Sequence, residues 1–212
     1  MFIAPADATL GEEEWRPFVA AHPFGHLVAP GGPARDLPVV VPTQFVLEGD
    51  TVWLHLVRGN PVFGALAENP RVLLSVADDW AFIPSSWKAV GAEDPALGIP
   101  TTYYGAVQLS GTATVHDERR APGTVAVILR RQLATFQPDV EVADPGQAHV
   151  PQLLGILGIS IDVDQVSAKF KYGGNVDEPH RQAVVERLRE RGAPGDDAAA
   201  ARVLRRMGVE PA

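Results

Sequence analysis

Between Pro42 and Pro61 the chain reads PTQFVLEGDTVWLHLVRGNP, and its polar residues fall where an anion could be held. Arg58 carries a planar fork of donors that suits a phosphate. Asn60 is a favoured helix N-cap and Pro61 a favoured first helical residue, so a short helix over 62–68 would present unpaired N–H groups and a positive dipole end beside Arg58. Gly59 lets the backbone come close. His55 shares a strand face with Thr51, Trp53 and Val57, while Val52, Leu54 and Leu56 point the other way, so an imidazole and an indole stand together on a face that could hold a ligand. A hairpin followed by a proline-started helix also occurs with no ligand, its arginine merely solvated, and spacing alone leaves both readings open.

These residues need strands and turns to position them. Val41, Thr43, Phe45 and Leu47 alternate in a strand predicted over 37–47, and Glu48-Gly49-Asp50 reads as a three-residue hairpin turn leading into the strand of Trp53 and His55. Upstream, acidic residues and the spacing of Trp15, Phe18 and Val19 predict a helix over 12–21, followed by a strand over 24–29. Downstream, strands are expected at 71–77, 80–83, 103–115, 156–163 and 167–172. Helices are expected at 118–136, 178–191 and 196–207, with a helical turn at 152–155. Residues 84–102 carry prolines at 84, 95 and 100 and no period; structureless stretches beyond ~12–15 residues tend to be lids or binding loops. Trp87 in that loop either packs on its own chain or closes over a neighbouring site.

Strands thus follow one another through short turns, with helices gathered between and after them, unlike the alternation of a doubly wound fold. The expected class is α+β: an antiparallel six- to seven-stranded split β-barrel with peripheral helices and a C-terminal helical pair. Residues 1–175 would form the barrel domain and 176–212 a helical extension packed on it.

Composition narrows the chemistry. The 212 residues, 46% apolar, suffice for a real core. With no cysteine, a disulfide, a thiolate nucleophile and a zinc thiolate site are all excluded. A basic segment followed by an apolar run is missing from the amino terminus, so a cytoplasmic protein without membrane insertion is expected. Net charge is −8, yet residues 167–212 hold nine Lys and Arg against seven acids, a mildly basic end on an acidic body. With no helix-turn-helix pattern, direct DNA binding is not expected. Nucleophile elbow, Walker loop, dinucleotide fingerprint and zinc-protease helix are all missing, so no catalytic residue is assigned and no metal ligands are proposed.

The segment PTQFVLEGDTVWLHLVRGNPVFGALAENPRVLLSV resembles the core of flavin-binding split barrels of the pyridoxamine 5′-phosphate oxidase type. Over nearly its whole length the chain resembles the FMN-binding negative transcriptional regulator (PaiB-like) family. The matching pieces are Met1-Phe2-Ile3-Ala4-Pro5, Phe24-Gly25, His55 to Pro61, Ala81-Phe82-Ile83 with Ser85-Ser86-Trp87, Ile99-Pro100-Thr101 before Tyr104, and Lys169-Phe170-Lys171 with Asn175. Departures lie at Val40-Val41-Pro42, where the family usually has His-Leu-Pro, at Lys88, where it has tyrosine, and at Thr102-Tyr103-Tyr104, where it has Trp-Asn-Tyr.

The resemblance implies FMN as cofactor and a homodimer with FMN at its interface. Arg58 and Asn60 with Pro61 would meet the phosphate, His55 the ribityl chain, and Thr43, Gln44 and Phe45 the ring, with Leu56 and Val57 also among the cofactor-binding residues. Trp87, Tyr103 and Tyr104 would close the pocket from the second chain. Three functions stay open at this stage: a flavin-dependent oxidoreductase, a regulator using flavin as a sensor or acting through a protein partner, and a split barrel holding haem through His55, His116 or His149.

Overall fold

The computed structural model describes residues 1–209. Two compact units are each assembled from separate segments. One comprises Met1–Phe18, Ala77–Val107 and the chain from Ser167 onward, and is called the terminal unit below. The other comprises Val19–Val76 and Gln108–Val166, and is called the barrel unit.

In chain order the elements are α1 (Glu12–Ala21), β1 (Phe24–Ala29), β2 (Val39–Gln44), β3 (Val46–Glu48), β4 (Thr51–Val57), α2 (Val62–Glu68), β5 (Arg71–Ile83), β6 (Thr101–His116), α3 (Thr124–Phe136), α4 (Pro145–Ala148), α5 (Val150–Leu153), β7 (Ile156–Lys171), α6 (Glu178–Arg191) and α7 (Asp196–Arg206). Short 3-10 turns lie at Pro5–Asp7, Ser85–Lys88 and Pro95–Leu97. Among the described residues no helix is long and apolar enough to cross a membrane.

The seven strands form one antiparallel sheet in the order β2-β1-β5-β6-β7-β4-β3. Consecutive strands β2 and β3 stand at opposite ends of that order with Phe45 alone between them. Consecutive Cα atoms are about 3.8 Å apart, so Gln44 and Val46 cannot be separated by more than about 8 Å. The two edges of the sheet must therefore lie side by side, and the barrel unit, which holds part of every strand, closes on itself at this seam. Phe45 fills it with a ring 1% exposed, and its N–H donates to the Pro23 carbonyl at 3.0 Å. This is the expected split barrel. The single strand expected over 37–47 is broken here because β2 pairs with β1 while β3 pairs with β4.

Inward residues supply the core: Leu27, Val52, Leu54, Leu74, Leu109, Ile159 and Ile161 are all buried. The β3–β4 hairpin is tighter than its sequence suggests. Glu48 pairs with Thr51, leaving a two-residue turn, Gly49-Asp50, in which Gly49 takes a left-handed φ of 58°. Helix α3 starts at Thr124 rather than at 118, with Gly123 at its N-cap, and Glu118 lies ahead of it: its carboxylate accepts from the N–H of Gly123 and, at 2.9 Å, from that of Val125. A Cβ added to Gly158 would lie 2.3 Å from Ile128 Cδ1, so the missing side chain on β7 is what lets α3 settle on the sheet.

In the terminal unit, Asp78-Asp79, the break between the strands expected at 71–77 and 80–83, is a kink inside continuous β5. Asp79 adopts φ 52°, and its conformation is held by the Tyr172 hydroxyl, which donates to its carbonyl at 3.1 Å, and by Arg202 Nε on its carboxylate at 2.8 Å. Beyond the kink the C-terminal helices protect the strand, with Arg191 donating to the Phe82 carbonyl at 2.9 Å. Helix α6 begins at an Asp177 cap and stops at Gly192, φ 57°, which gives it the bounds that its sequence signals.

Candidate functional site

Strand β4 presents two faces. Val52 and Leu54 point into the barrel; Trp53 and His55 point out and lie beneath α3. His55 Nδ1 meets Gln132 Oε1 at 2.5 Å. The Arg131 guanidinium lies 4.7 Å from the Trp53 ring centroid and is paired with Glu48, and the His116 ring stands 6.2 Å away on the same indole. His116 Nε2 in turn contacts Ser160 Oγ at 2.8 Å, and burial lowers its pKa against the opposing pull of Asp162. The face read as open to a ligand is thus covered by the chain's own helix, with His55 paired to Gln132 across that contact.

Arg58 begins the loop after β4. Its Nε donates to the Leu154 carbonyl at 2.9 Å, and its two terminal nitrogens grip Asp117 at 2.9 and 2.7 Å. Those hydrogen bonds hold the Asp117 carboxyl well below the usual carboxylate range, and Asp117 raises Arg58 in return. Three of the five guanidinium N–H groups are engaged and two remain. Asn60 Oδ1 accepts from Val62 N–H at 3.0 Å, so the start of α2 satisfies one of its own donors. Pro61 is exposed.

Arg58 lines a cavity of about 330 Å³ with His116, Asp117, Arg120, Thr124 and Leu157. Two guanidiniums, an imidazole and a hydroxyl face one carboxylate there. Asp117 and Arg120 carry no strong sequence signal, standing 59 and 62 positions beyond Arg58; the one available hint is an acid-rich turn, Asp117-Glu118, just before a helix.

The other expected residues sort by exposure. Thr43 and Phe45 are buried, with Thr43 Oγ1 donating to the Gln44 carbonyl at 3.1 Å; Gln44 is exposed, Leu56 half-buried and Val57 62% exposed. In the terminal unit Tyr103 is 2% exposed and meets Tyr172 edge-on at 6.1 Å. Among the described residues its hydroxyl is buried without a hydrogen-bond partner, and burial pushes it up to about 12 against the nearby Arg181. Tyr104, on the opposite strand face, is half-exposed with Lys169 Nζ 5.6 Å from its ring centroid. Trp87 is half-buried under Arg191, 4.5 Å from its ring.

Residues 1–165 match the family described as "Putative FMN-binding domain". The chain belongs to that family. The matched region holds every lining residue of the Arg58 cavity and ends within β7, ahead of α6 and α7. Protease synthase and sporulation protein PAI 2 of Bacillus subtilis is 24% identical over 189 residues, covering 88% of this chain and 87% of that protein. Among solved structures, the flavocytochrome Anf3 from Azotobacter vinelandii superposes with a TM-score of 0.58 at 22% identity, covering 82% of this chain and 74% of that one. The FAD and heme binding protein from Mycobacterium smegmatis gives 0.56 at 20% identity, with 82% and 78% covered. At these identities the structural likeness concerns the fold.

Proposed function

We propose that this chain is an FMN-binding split-barrel protein that seats the FMN phosphate in the Arg58 cavity and works as a homodimer. The observation that carries the reading is the donor set of that cavity inside the region matching an FMN-binding family. A phosphate monoester needs several cationic and neutral donors at one end of its site. Arg58 brings two uncommitted N–H groups and Arg120 a second guanidinium, while the Thr124 hydroxyl donates to the Ala121 carbonyl at 2.8 Å, so the two guanidiniums are what fit the group. Asp117 fixes the Arg58 fork and neutralises one charge, a positioning role. Bound FMN would supply electron transfer at its ring.

Among the barrel residues expected at the ligand, the exposed Gln44 and Val57 would meet it directly. Thr43, Phe45 and His55 would act from behind, by holding the seam and fastening β4 to α3. Phe24 and Val40, 60% and 52% exposed on one face of the β1–β2 pair, are apolar surface for a second copy to cover. That copy would also bring its own Trp87 and Tyr104 toward the ring. Tyr103 is buried within its own unit, so its part would be to support the strand.

The protein purified under mild conditions should show flavin absorbance and release FMN on denaturation, identified by mass. Arg120→Ala should weaken FMN binding about ten- to a hundred-fold, the loss of one charge-assisted contact. A colourless protein that fails to take up added FMN would refute the proposal.

A second reading is favoured by the similarity to PAI 2 along most of both chains: the bound flavin would report to a regulatory partner without being turned over. Net charge −8 then points to a protein partner over sequence-specific contact with duplex DNA. Steady flavin-dependent turnover of an added electron donor would exclude a sensor that does no chemistry.

A further inference from the structure

We infer that His180 and Glu93 form a proton-dependent latch, which fastens the segment 89–98 to the start of α6 while both nitrogens of the His180 ring carry a proton and releases it when one proton leaves. All of these residues belong to the terminal unit. The segment lies within the proline-bearing stretch read from the sequence as a lid or binding loop. It is pinned at its ends by the 3-10 turn Ser85–Lys88 before it and by Gly98, where an added Cβ would stand 2.0 Å from the Ser85 carbonyl oxygen. Between those points its hydrogen bonds are largely its own. Glu93 N–H donates to the Val90 carbonyl at 3.3 Å, Val90 N–H to the Glu93 carboxylate at 2.9 Å, and Ala96 N–H to that of Asp94 at 2.9 Å. Among the described residues, the one polar contact that ties this stretch to another element is that of Glu93 Oε2 with His180 Nε2, 2.9 Å apart.

The half-buried ring between two carboxylates decides when that contact holds. His180 Nδ1 meets Oδ1 of Asp177, the cap of α6, and the same oxygen accepts from the His180 backbone N–H at 3.2 Å. An ionised carboxylate only accepts, so both ring nitrogens have to donate and the ring has to be an imidazolium. When one proton leaves, the capping geometry keeps the other on Nδ1 opposite Asp177, and the bare lone pair of Nε2 is left facing the charge of Glu93. The latch opens on that side. The charges about the ring are Asp177, Glu178 and Arg181 at the start of α6, Glu93 and Asp94 on the segment, and Lys88, which lines a cavity of about 370 Å³ with those last two acids. From α7, packed on α6, the Arg206 carbonyl receives Arg181 Nη1 at 3.4 Å. Among the described residues neither Asp177 nor Glu93 has an ion-pair partner besides His180. Hydrogen bonds to Asp177 and then to Glu93 raise the His180 pKa against the opposing pull of burial. The contact is therefore complete below the ordinary histidine value of about 6.5 and is lost as pH rises through the raised one. Trp87 stands just ahead of the segment, so an open latch loosens the loop that presents it; that consequence rests on the flavin reading above, and the latch itself does not.

The test is 1H–15N NMR of the full chain from about pH 5 to 9, following the His180 ring nitrogens and the exchange protection of the Val90, Glu93 and Ala96 amides relative to their unstructured rates. Two protonated nitrogens at the acid end and a midpoint above about 6.5 are expected. Protection in the segment should fall about two- to five-fold through that midpoint, the modest change that a partly exposed ion pair supports. His180→Ala should keep the segment at its released level at every pH. Glu93→Gln should return the His180 midpoint toward the ordinary value, which keeps the proposal testable if the first variant disturbs α6. Flavin binding is read separately by absorbance, and its absence would sink the flavin reading while leaving these results in place. A His180 midpoint at or below the ordinary value, or protection in the parent that follows pH as it does in His180→Ala, would overturn the latch.

Discussion

Phe45→Ala should weaken the barrel where its two edges meet. The ring is 1% exposed and stands alone between β2 and β3, so truncation removes a fully buried aromatic from a place where β2 and β3 pair with different partners. Phenylalanine-to-alanine changes in cores cost about 3–5 kcal/mol, against a total stability of about 5–15 kcal/mol. In a chain of this size each kcal/mol lowers Tm by about 2–4 °C, so a fall of about 6–20 °C is expected. Phe45→Leu keeps most of the apolar volume and should lose much less. Leu37→Ala, at a side chain 78% exposed, should stay within about 0.5 kcal/mol of the parent. Urea unfolding at one protein concentration, comparing midpoints and slopes, measures all three. A Phe45→Ala variant within about 1 kcal/mol of Leu37→Ala, a threshold set by the usual spread of single-site effects, would refute the idea that this ring holds the seam.

Gly111→Ala should destabilise by about 1–3 kcal/mol, because its Cβ would stand 2.3 Å from the Asp162 carbonyl oxygen where β6 and β7 press together; calorimetry reads this. The Asp117 carboxyl, followed by 13C NMR, should titrate below an ordinary aspartate. Since its folded pKa lies under the unfolded one, the Arg58 pair supports the fold above the unfolded value and ceases to as pH falls through the folded value; Arg58→Met should return the midpoint toward normal. Light scattering should give about twice 22.7 kDa, and a monomer that still holds FMN tightly would defeat the dimer proposal.

Local signals in the sequence carried far, and they stopped where partners are distant. Asp177 and Gly192 bound α6 because capping is written within a few residues. Glu118 looked like the first turn of α3 since an acid there suits either a helix interior or a cap, and only the fold shows its carboxylate on Gly123 and Val125. The Trp53–His55 face looked available because Gln132, its cover, lies 77 positions away from His55. The donor fork of Arg58 was legible, but its pairing with Asp117 was not. The strands expected at 71–77 and 80–83 are one strand because the positive φ of Asp79 between them is held by Arg202 and Tyr172, which lie about a hundred residues downstream.

The pairing of β4 with β7 sets a schedule for synthesis. Val57 must find Ile156 and Thr51 must find Asp162, so roughly a hundred residues have to leave the ribosome after β4 before it gains that neighbour. At about 5–20 residues per second the strand waits some 5–20 s with an unpaired edge. The local hairpin with β3 forms within microseconds and shields only its other side. The nascent chain is therefore most open to aggregation and to chaperone capture while residues 58–155 are being made, and slowing translation within that interval should lower the soluble yield more than slowing it after residue 171.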